Sequence, residues 1–245
     1  MLKRRMIIAR KKGPSTLKIL TLVAVQLLII GSVLFAYSYF TKSPAQHTLM
    51  AQKDKRMETM IETLLPAIKA ENEKIQKEKQ QLATGDTEAI LNLASKYEVD
   101  MLEDEIDARI HILEERVDEI PASLLIAYAW VATENGQNKD ALERNNYFDD
   151  RDWNITLESE EEATYTLKRF TSPTDSVKAF MHKLNTALFF EDFRRVRKTH
   201  RGYVGGKMIP SRLADKFVFY QGDNTLDRKI QAVMKEFTLS SRLDN

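Results

Sequence analysis

The chain has 245 residues, 43% of them apolar, and no cysteine, so its composition excludes intrinsic disorder and a small disulfide-stabilised domain. Its 37 basic and 36 acidic residues are unevenly placed, because residues 1–18 carry seven basic side chains and no acidic ones, which leaves an acidic body. A body of that charge has no basic face for phosphates, which excludes nucleic acid as a partner.

The basic tail at residues 1–18 precedes an uncharged run over residues 19–40. A helix of this length crosses the ~30 Å hydrocarbon core once at about 1.5 Å per residue. The positive-inside rule places the tail in the cytoplasm and the chain after Thr41 outside. Residues 36–38 also resemble a signal-peptidase site, but secretory apolar regions run only about 7–15 residues. We therefore predict a single-pass inner-membrane protein with a periplasmic C-terminal domain.

The next segments predict a linker over residues 41–55 and a helical part over residues 56–119. Apolar residues from Met57 to Ile68 recur at helical spacing, with Pro66 predicting a kink. Gly85-Asp86-Thr87 is typical of a helix end followed by a new helix cap. Apolar positions from Leu102 to Val117 predict a helix with an acidic outer face. The segment lacks an Asp/Asn-rich loop, so it favours a solvated surface over a metal site.

Pro121 opens a segment, Ala122 to Ala132, that is apolar on nearly every helical face. Such a helix is typical of a protein core and is too short to span a bilayer. Glu134 follows it closely, so the helix delivers a carboxylate at its C-terminal end. Burial and the helix dipole would both favour the protonated form, as a general acid near neutral pH requires. The alternative is an ordinary surface glutamate at a helix end.

Alternating residues around 153–157 and 164–170 predict one small β-hairpin. Further helices are predicted after Ser172, through an arginine-rich extension, and from Pro210 and Leu226. The chain has no cysteine nucleophile, no histidine pair with zinc-protease spacing and no Gly-x-Ser-x-Gly motif. We therefore predict neither a metal nor a cofactor. The tip of the hairpin is acidic, with Glu158, Glu160, Glu161 and Glu162.

Several segments together resemble the bacterial Bax-type proteins, a glucosaminidase family (mannosyl-glycoprotein endo-β-N-acetylglucosaminidase-like) unrelated to the apoptosis regulator. The resemblance covers roughly Met57 to Phe237. It implies a mainly α, lysozyme-like α+β fold with a catalytic domain at residues 120–240, and hydrolysis of β-1,4 bonds next to N-acetylglucosamine in peptidoglycan. The segments that carry it are 64–75, 116–127, Glu134, Asn145-Asn146-Tyr147-Phe148, 172–177, 184–186 and 193–197.

The resemblance also implies roles for individual residues. Glu134 corresponds to the general acid, and a second carboxylate is expected among the four hairpin glutamates, with Asp149, Asp150, Asp152 or the substrate's own N-acetyl group as alternatives. The chain departs from the family directly after Glu134, and at Asp149, where the family has glycine. A non-catalytic peptidoglycan-binding scaffold is therefore the alternative function. The residues that correspond to substrate-binding positions are Asn145, Asn146, Tyr147, Phe148 and Tyr220.

Overall fold

The structure is a computed structural model that describes residues 24–34, 44–154, 164–203, 208–218 and 220–244. The chain divides into two compact units, Met1–Gln52 and Lys53–Asn245. In the first unit, residues 24–34 form a helix, α1. Among the described residues no helix combines the length and apolar character that crossing a bilayer requires. The predicted membrane segment at 19–40 extends beyond the described residues on both sides of α1.

The described chain is mainly helical, which confirms the predicted class, and its two strands form the predicted small hairpin. Strands β1 (Arg151–Asn154) and β2 (Thr164–Leu167) are antiparallel, with Arg151 opposite Leu167 and Asn154 opposite Thr164. The helices are α2 (Pro44–Ala83), α3 (Thr87–Lys96), α4 (Ile106–Arg116), α5 (Ala122–Ala132), α6 (Lys139–Glu143), α7 (Pro173–Thr186), α8 (Glu191–Tyr203), α9 (Pro210–Ala214), α10 (Leu226–Glu236) and α11 (Leu239–Leu243).

Helix α2 corrects the prediction of an irregular linker at 41–55, because the chain is helical from Pro44. The helix continues through Pro66 to Ala83. Pro66 has no N–H group, so the Glu62 carbonyl lacks its usual helical donor. Both residues are exposed, so water can donate to that carbonyl instead. The predicted apolar stripe is confirmed, because its principal members are buried: Met57, Met60, Ile61, Leu64 and Ile68.

The connection from α2 to α4 follows the sequence signals in part. Asp86 caps α3 by accepting a hydrogen bond from the Ala89 N–H at 2.9 Å, and Gly85 has a φ of +73°, as predicted for this junction. The acidic-faced helix is shorter than predicted, because α4 begins only at Ile106. Leu102, the first residue of the predicted stripe, is 60% exposed.

Helix α5 is central to the core of the second unit, as its sequence predicts. Nine of its eleven residues are buried, and it packs against α9, α10 and α11. Trp130 is fully buried and meets the Phe237 ring edge-on at 5.5 Å. Tyr128 lies in an aromatic cluster with Phe180, whose ring centroid is 4.9 Å away. A helix enclosed on all sides has little freedom to move, so it provides a rigid support for the residues at its ends.

A buried ion-pair network fixes the chain just before α5. The Asp118 carboxylate accepts hydrogen bonds from Lys79 of α2 at 2.6 Å and Arg201 of α8 at 2.8 Å, and pairs with the buried Arg197 at 3.3 Å. Burial opposes the charge on this carboxylate, but Arg197 and the other donors outweigh it and lower the pKa of Asp118. Asn72 adds two hydrogen bonds, to the Ile120 N–H and C=O groups. The start of α5 is thereby tied to α2 and α8.

Candidate functional site

Glu134 lies in the turn that ends α5, a Schellman cap. The Asn135 N–H donates to the Trp130 carbonyl at 2.8 Å and the Glu134 N–H donates to the Val131 carbonyl at 3.1 Å. This pattern requires a left-handed backbone, and Glu134 has a φ of +52° at the position that glycine usually occupies. Asn135 and Gly136 are also left-handed, with φ values of +64° and +70°. The chain therefore turns sharply away from the helix at Glu134.

The side chain of Glu134 is exposed, so the prediction of a buried carboxyl is wrong. The left-handed turn carries the residue out of the core that encloses α5, and the apolar side chains of the helix face that core instead. Glu134 Oε1 accepts a hydrogen bond from Asn138 Nδ2 at 3.2 Å. Asn138 also caps α6, so the carboxylate is linked to that helix.

Glu134 lines an open cavity of about 490 Å³ between the end of α5, helix α6 and the hairpin. Its wall carries three carboxylates and two guanidinium groups, which nearly balance in charge. A larger cavity of about 660 Å³ is lined by residues at the other end of α5, and none of the predicted site residues lines it. The residues that line the cavity beside Glu134 are Ala132, Glu134, Asn138, Asp140, Arg144, Asp149, Arg151, Thr166 and Leu167.

Asp149 is the second candidate carboxylate that the structure brings to this cavity. Arg151 holds it bidentately, with Nε 2.9 Å from one carboxylate oxygen and a terminal guanidinium nitrogen 2.5 Å from the other. Both side chains are largely buried, with about 20% of Asp149 and 17% of Arg151 exposed. Asp149 also has a left-handed backbone, with a φ of +49°. A guanidinium fork of this kind fixes the plane of the carboxylate.

The predicted substrate-binding asparagines lie outside the cavity lining and stabilise the turn that carries Asp149. Asn146 is buried, donates to the carbonyls of Asp150 and Lys168 at 2.7 and 3.0 Å, and accepts from the Asp150 N–H at 2.9 Å. Asn145 donates to the Phe170 carbonyl at 3.1 Å. These bonds join the start of β1 to the chain just after β2.

The three predicted aromatic residues also lie outside the cavity lining. Phe148 is buried and stacks on Phe180, with ring centroids 4.6 Å apart, and its carbonyl accepts a hydrogen bond from the Tyr128 hydroxyl at 3.0 Å. Tyr220 is buried beside Tyr128, with ring centroids 5.9 Å apart. Tyr147 is half-buried. The described contacts of Phe148 and Tyr220 are those of core residues.

The remaining acidic candidates separate clearly. Asp150 is buried and pairs with Lys183 of α7, and Asp152 is 61% exposed beside Lys168 at 3.6 Å, so neither lines the cavity. The four hairpin glutamates lie outside the described residues, and their role stays a prediction. Within the described ranges no group of three or more metal-ligating side chains could hold an ion.

The two arginines of the cavity wall, Arg144 and Arg151, are not among the residues that the sequence predicts for this site. A charge pair two residues apart, Asp149 and Arg151, was the signal that could have identified one of them.

No family model matches the sequence of this chain. No curated protein matches it. No solved structure matches its fold. The resemblance to the Bax-type proteins therefore stays a prediction, and the geometry around Glu134 is the basis for inferring a function.

Proposed function

We propose that this chain is a membrane-anchored peptidoglycan hydrolase that cleaves β-1,4 bonds next to N-acetylglucosamine, with Glu134 as the general acid. One observation carries the proposal: Glu134 and a second carboxylate, Asp149, line the same cavity. Glycoside hydrolysis generally requires two carboxyl groups that flank the bond to be broken. A cavity of about 490 Å³ also lies within the usual size range of ligand sites.

The exposure of Glu134 at the cavity is compatible with this role. A sugar that fills the cavity would displace water from around the carboxyl group. Geometry around catalytic groups commonly tightens only when the substrate is bound. The proton would pass from Glu134 to the oxygen of the leaving sugar. Asp140 is the other exposed carboxylate in the described lining, and it pairs with Arg144.

The polar lining suits an uncharged sugar better than a strongly charged ligand. Arg144 pairs with Asp140 at 2.6 Å, and Arg151 pairs with Asp149, so the charges of the wall are largely neutralised within it. Sugar hydroxyl and N-acetyl groups can both donate and accept hydrogen bonds. Asn138 offers an amide for such bonds beside Glu134.

The proposal places the chain at the cytoplasmic membrane, with the catalytic unit in the periplasm. It relies on the seven basic residues at 1–18 and the uncharged run at 19–40. The lysozyme-like arrangement of the helices and hairpin belongs to the same proposal. Peptidoglycan lies in that compartment, which makes location and substrate consistent.

A non-catalytic peptidoglycan-binding scaffold is the second candidate, and two observations favour it. Glu134 is exposed instead of buried, and Asp149 is already engaged by Arg151. A cavity with these features could bind a sugar without hydrolysing it.

Digestion of purified sacculi distinguishes the two functions. The full-length chain, purified in mild detergent, is compared with Glu134→Gln, and the released fragments are analysed by mass spectrometry of their reducing ends. Gln preserves the shape of the side chain but cannot donate the proton, so we expect hydrolysis to fall by at least ~10²-fold. Glu98→Gln is the matched control, because Glu98 occupies the same cap position at the end of α3 and does not line the cavity.

Three results are informative. Loss of hydrolysis in Glu134→Gln alone supports the hydrolase. Equal hydrolysis by Glu134→Gln and the wild-type chain assigns the proton donor to another residue. Binding of sacculi without hydrolysis by either protein supports the scaffold.

A further inference from the structure

We infer that Asp149 is the second carboxylate of this site and acts as the general base that activates water. The inference rests on the proposed hydrolase function. It depends on how the chain holds Asp149, on the orientation that Arg151 imposes, and on the different contacts of the neighbouring aspartates.

The same buried helix, α5, positions both carboxylates. Glu134 is fixed by the two cap hydrogen bonds at the C-terminal end of α5. Asp149 is fixed through the preceding residue, because the Tyr128 hydroxyl of α5 donates to the Phe148 carbonyl at 3.0 Å. Tyr128 lies four residues before the end of α5 at Ala132, about 6 Å along the helix axis. Catalytic groups need a rigid support of this kind to stay in a productive geometry.

The turn that carries Asp149 is itself closed by internal bonds. The Asn146 side chain donates two hydrogen bonds and accepts one, which hold residues 146–150 and tie them to the end of the hairpin. The Phe148 ring is stacked in the core against Phe180. The left-handed backbone of Asp149 is therefore imposed by its surroundings.

Arg151 determines how Asp149 can react. Its guanidinium contacts both carboxylate oxygens, which holds the group in one plane and limits its approach to a sugar carbon. A fixed carboxylate can orient and deprotonate a water molecule more readily than it can form a covalent bond with the sugar.

The neighbouring aspartates have other partners. Asp150 is buried against Lys183 of α7, on the side of the turn away from the cavity lining. Asp152 is mostly exposed and has only a long contact with Lys168 within its described pairs. Of these three aspartates, Asp149 is the one that lines the cavity with Glu134.

The step balances with water as the co-reactant. Glu134 donates its proton to the glycosidic oxygen as the bond from that oxygen to the anomeric carbon breaks. The oxygen of a water molecule forms a new bond to that carbon from the opposite face, and the water proton passes to Asp149. The products are a free hydroxyl and a hemiacetal of inverted configuration, and the proton returns from Asp149 to Glu134 through solvent.

The test compares the full-length wild type with Asp149→Asn, Asp149→Gly, Glu134→Gln and Asp152→Asn on a soluble β-1,4 glycan prepared from sacculi. We expect both Asp149 variants to lose at least ~10²-fold in kcat with little change in KM. Both Asn and Gly accept a left-handed backbone, so both variants should fold. Asp152→Asn is the matched control and should retain wild-type activity. Product configuration is read by NMR at early times, with inversion expected.

Each outcome decides the inference. Loss of activity in both Asp149 variants with inversion in the wild type supports it. If both Asp149 variants keep the wild-type kcat while Glu134→Gln loses activity, Asp149 is not the general base and the proposed function still holds. Retention of configuration also overturns Asp149 as the base. A wild-type chain that hydrolyses no glycan overturns the proposed function, and the inference with it.

Discussion

Glutamate at the left-handed end of α5 predicts an unusual result for Glu134→Gly: higher stability together with lost activity. Glu134 has a φ of +52° in a Schellman cap, where glycine is the residue that fits without strain. Glu98 occupies the same position at the end of α3, with a φ of +58°. There the Glu98 N–H donates to the Ser95 carbonyl at 3.3 Å, and the Val99 N–H donates to the Ala94 carbonyl at 2.8 Å. Glu98→Gly is therefore a matched control away from the cavity.

The magnitude follows from two opposing free energies. A left-handed backbone costs a residue with a side chain roughly 1–2 kcal/mol, which glycine avoids. Glycine loses more backbone entropy on folding, roughly 0.5–1 kcal/mol. Removing Glu134 also deletes its 3.2 Å hydrogen bond to Asn138, which is between exposed groups and contributes little. We expect Glu134→Gly to raise the free energy of unfolding by about 0.5–1 kcal/mol, and each kcal/mol moves the Tm of a domain this size by about 2–4 °C.

Urea unfolding followed by circular dichroism, with hydrolysis of sacculi measured in parallel, checks this prediction. Both glycine variants should unfold at higher urea than the wild type, while only Glu134→Gly should lose hydrolysis. A Glu134→Gly protein that is less stable than the wild type, beside a stabilised Glu98→Gly, would show that the Glu134 side chain supports the fold. In that case the stabilising contacts of the side chain would be enough to explain glutamate at this position.

Two further predictions concern the C-terminus and the membrane segment. Asp244 Oδ1 accepts from the Ser123 N–H at 3.0 Å, and burial raises the pKa of Asp244 above 3.8 against the hydrogen bonds that lower it. The folded state then binds a proton at Asp244 more readily than the unfolded state. The free energy of unfolding in urea of the wild type, relative to Asp244→Asn, should therefore be highest below pH ~4 and should fall as the pH rises through the raised pKa. A reporter active only outside the cytoplasm, fused after Asn245, should be active if the chain is anchored as proposed, and an inactive fusion contradicts that topology.

The parts of the fold that sequence predicted well are those in which one local signal dominates. Eleven successive residues with no charged side chain leave α5 no face for water, so its burial follows from composition alone. Asp86 is a good helix cap that follows a glycine, and the structure uses both as expected. Hairpin alternation predicted β1 and β2 for the same reason. These elements depend little on distant contacts.

Helix ends were harder to predict because few of the described helices end with glycine. Gly85 follows the usual rule after α2, but left-handed residues of other types occupy the equivalent position after α3, α5, α6 and α10. Those residues are Glu98, Glu134, Asn145 and Thr238. After α5 the nearest glycine, Gly136, lies two residues beyond the left-handed position at Glu134. The sequence therefore does not show that the chain turns away from the core already at Glu134.

Site residues were predicted less well because a polar side chain near a site can serve the fold instead of a ligand. Asn146 has the hydrogen-bonding groups of a sugar-binding residue, yet the structure uses them on three backbone groups, two of Asp150 and one of Lys168. Sequence spacing cannot show which backbone groups lie within reach of an amide. The sequence does not show that Arg151 belongs to the site, because its partner Asp149 is positioned only when the turn at 146–150 has folded.

Core packing explains how the chain tolerates strain at both carboxylates. Left-handed backbone at Glu134 and Asp149 costs roughly 1–3 kcal/mol at each position. Full burial of one large apolar side chain contributes about 1.5–3 kcal/mol, and α5 alone buries Leu124, Leu125 and Ile126 completely. The packing of a single helix turn thus outweighs the strain at both positions. Glycine would relieve the strain at both positions, but Asp149→Gly would also remove the bidentate partner of Arg151. Glu98, away from the cavity, shows that this chain also accepts a left-handed glutamate where no site lies beside it, so the strain by itself does not mark a catalytic group.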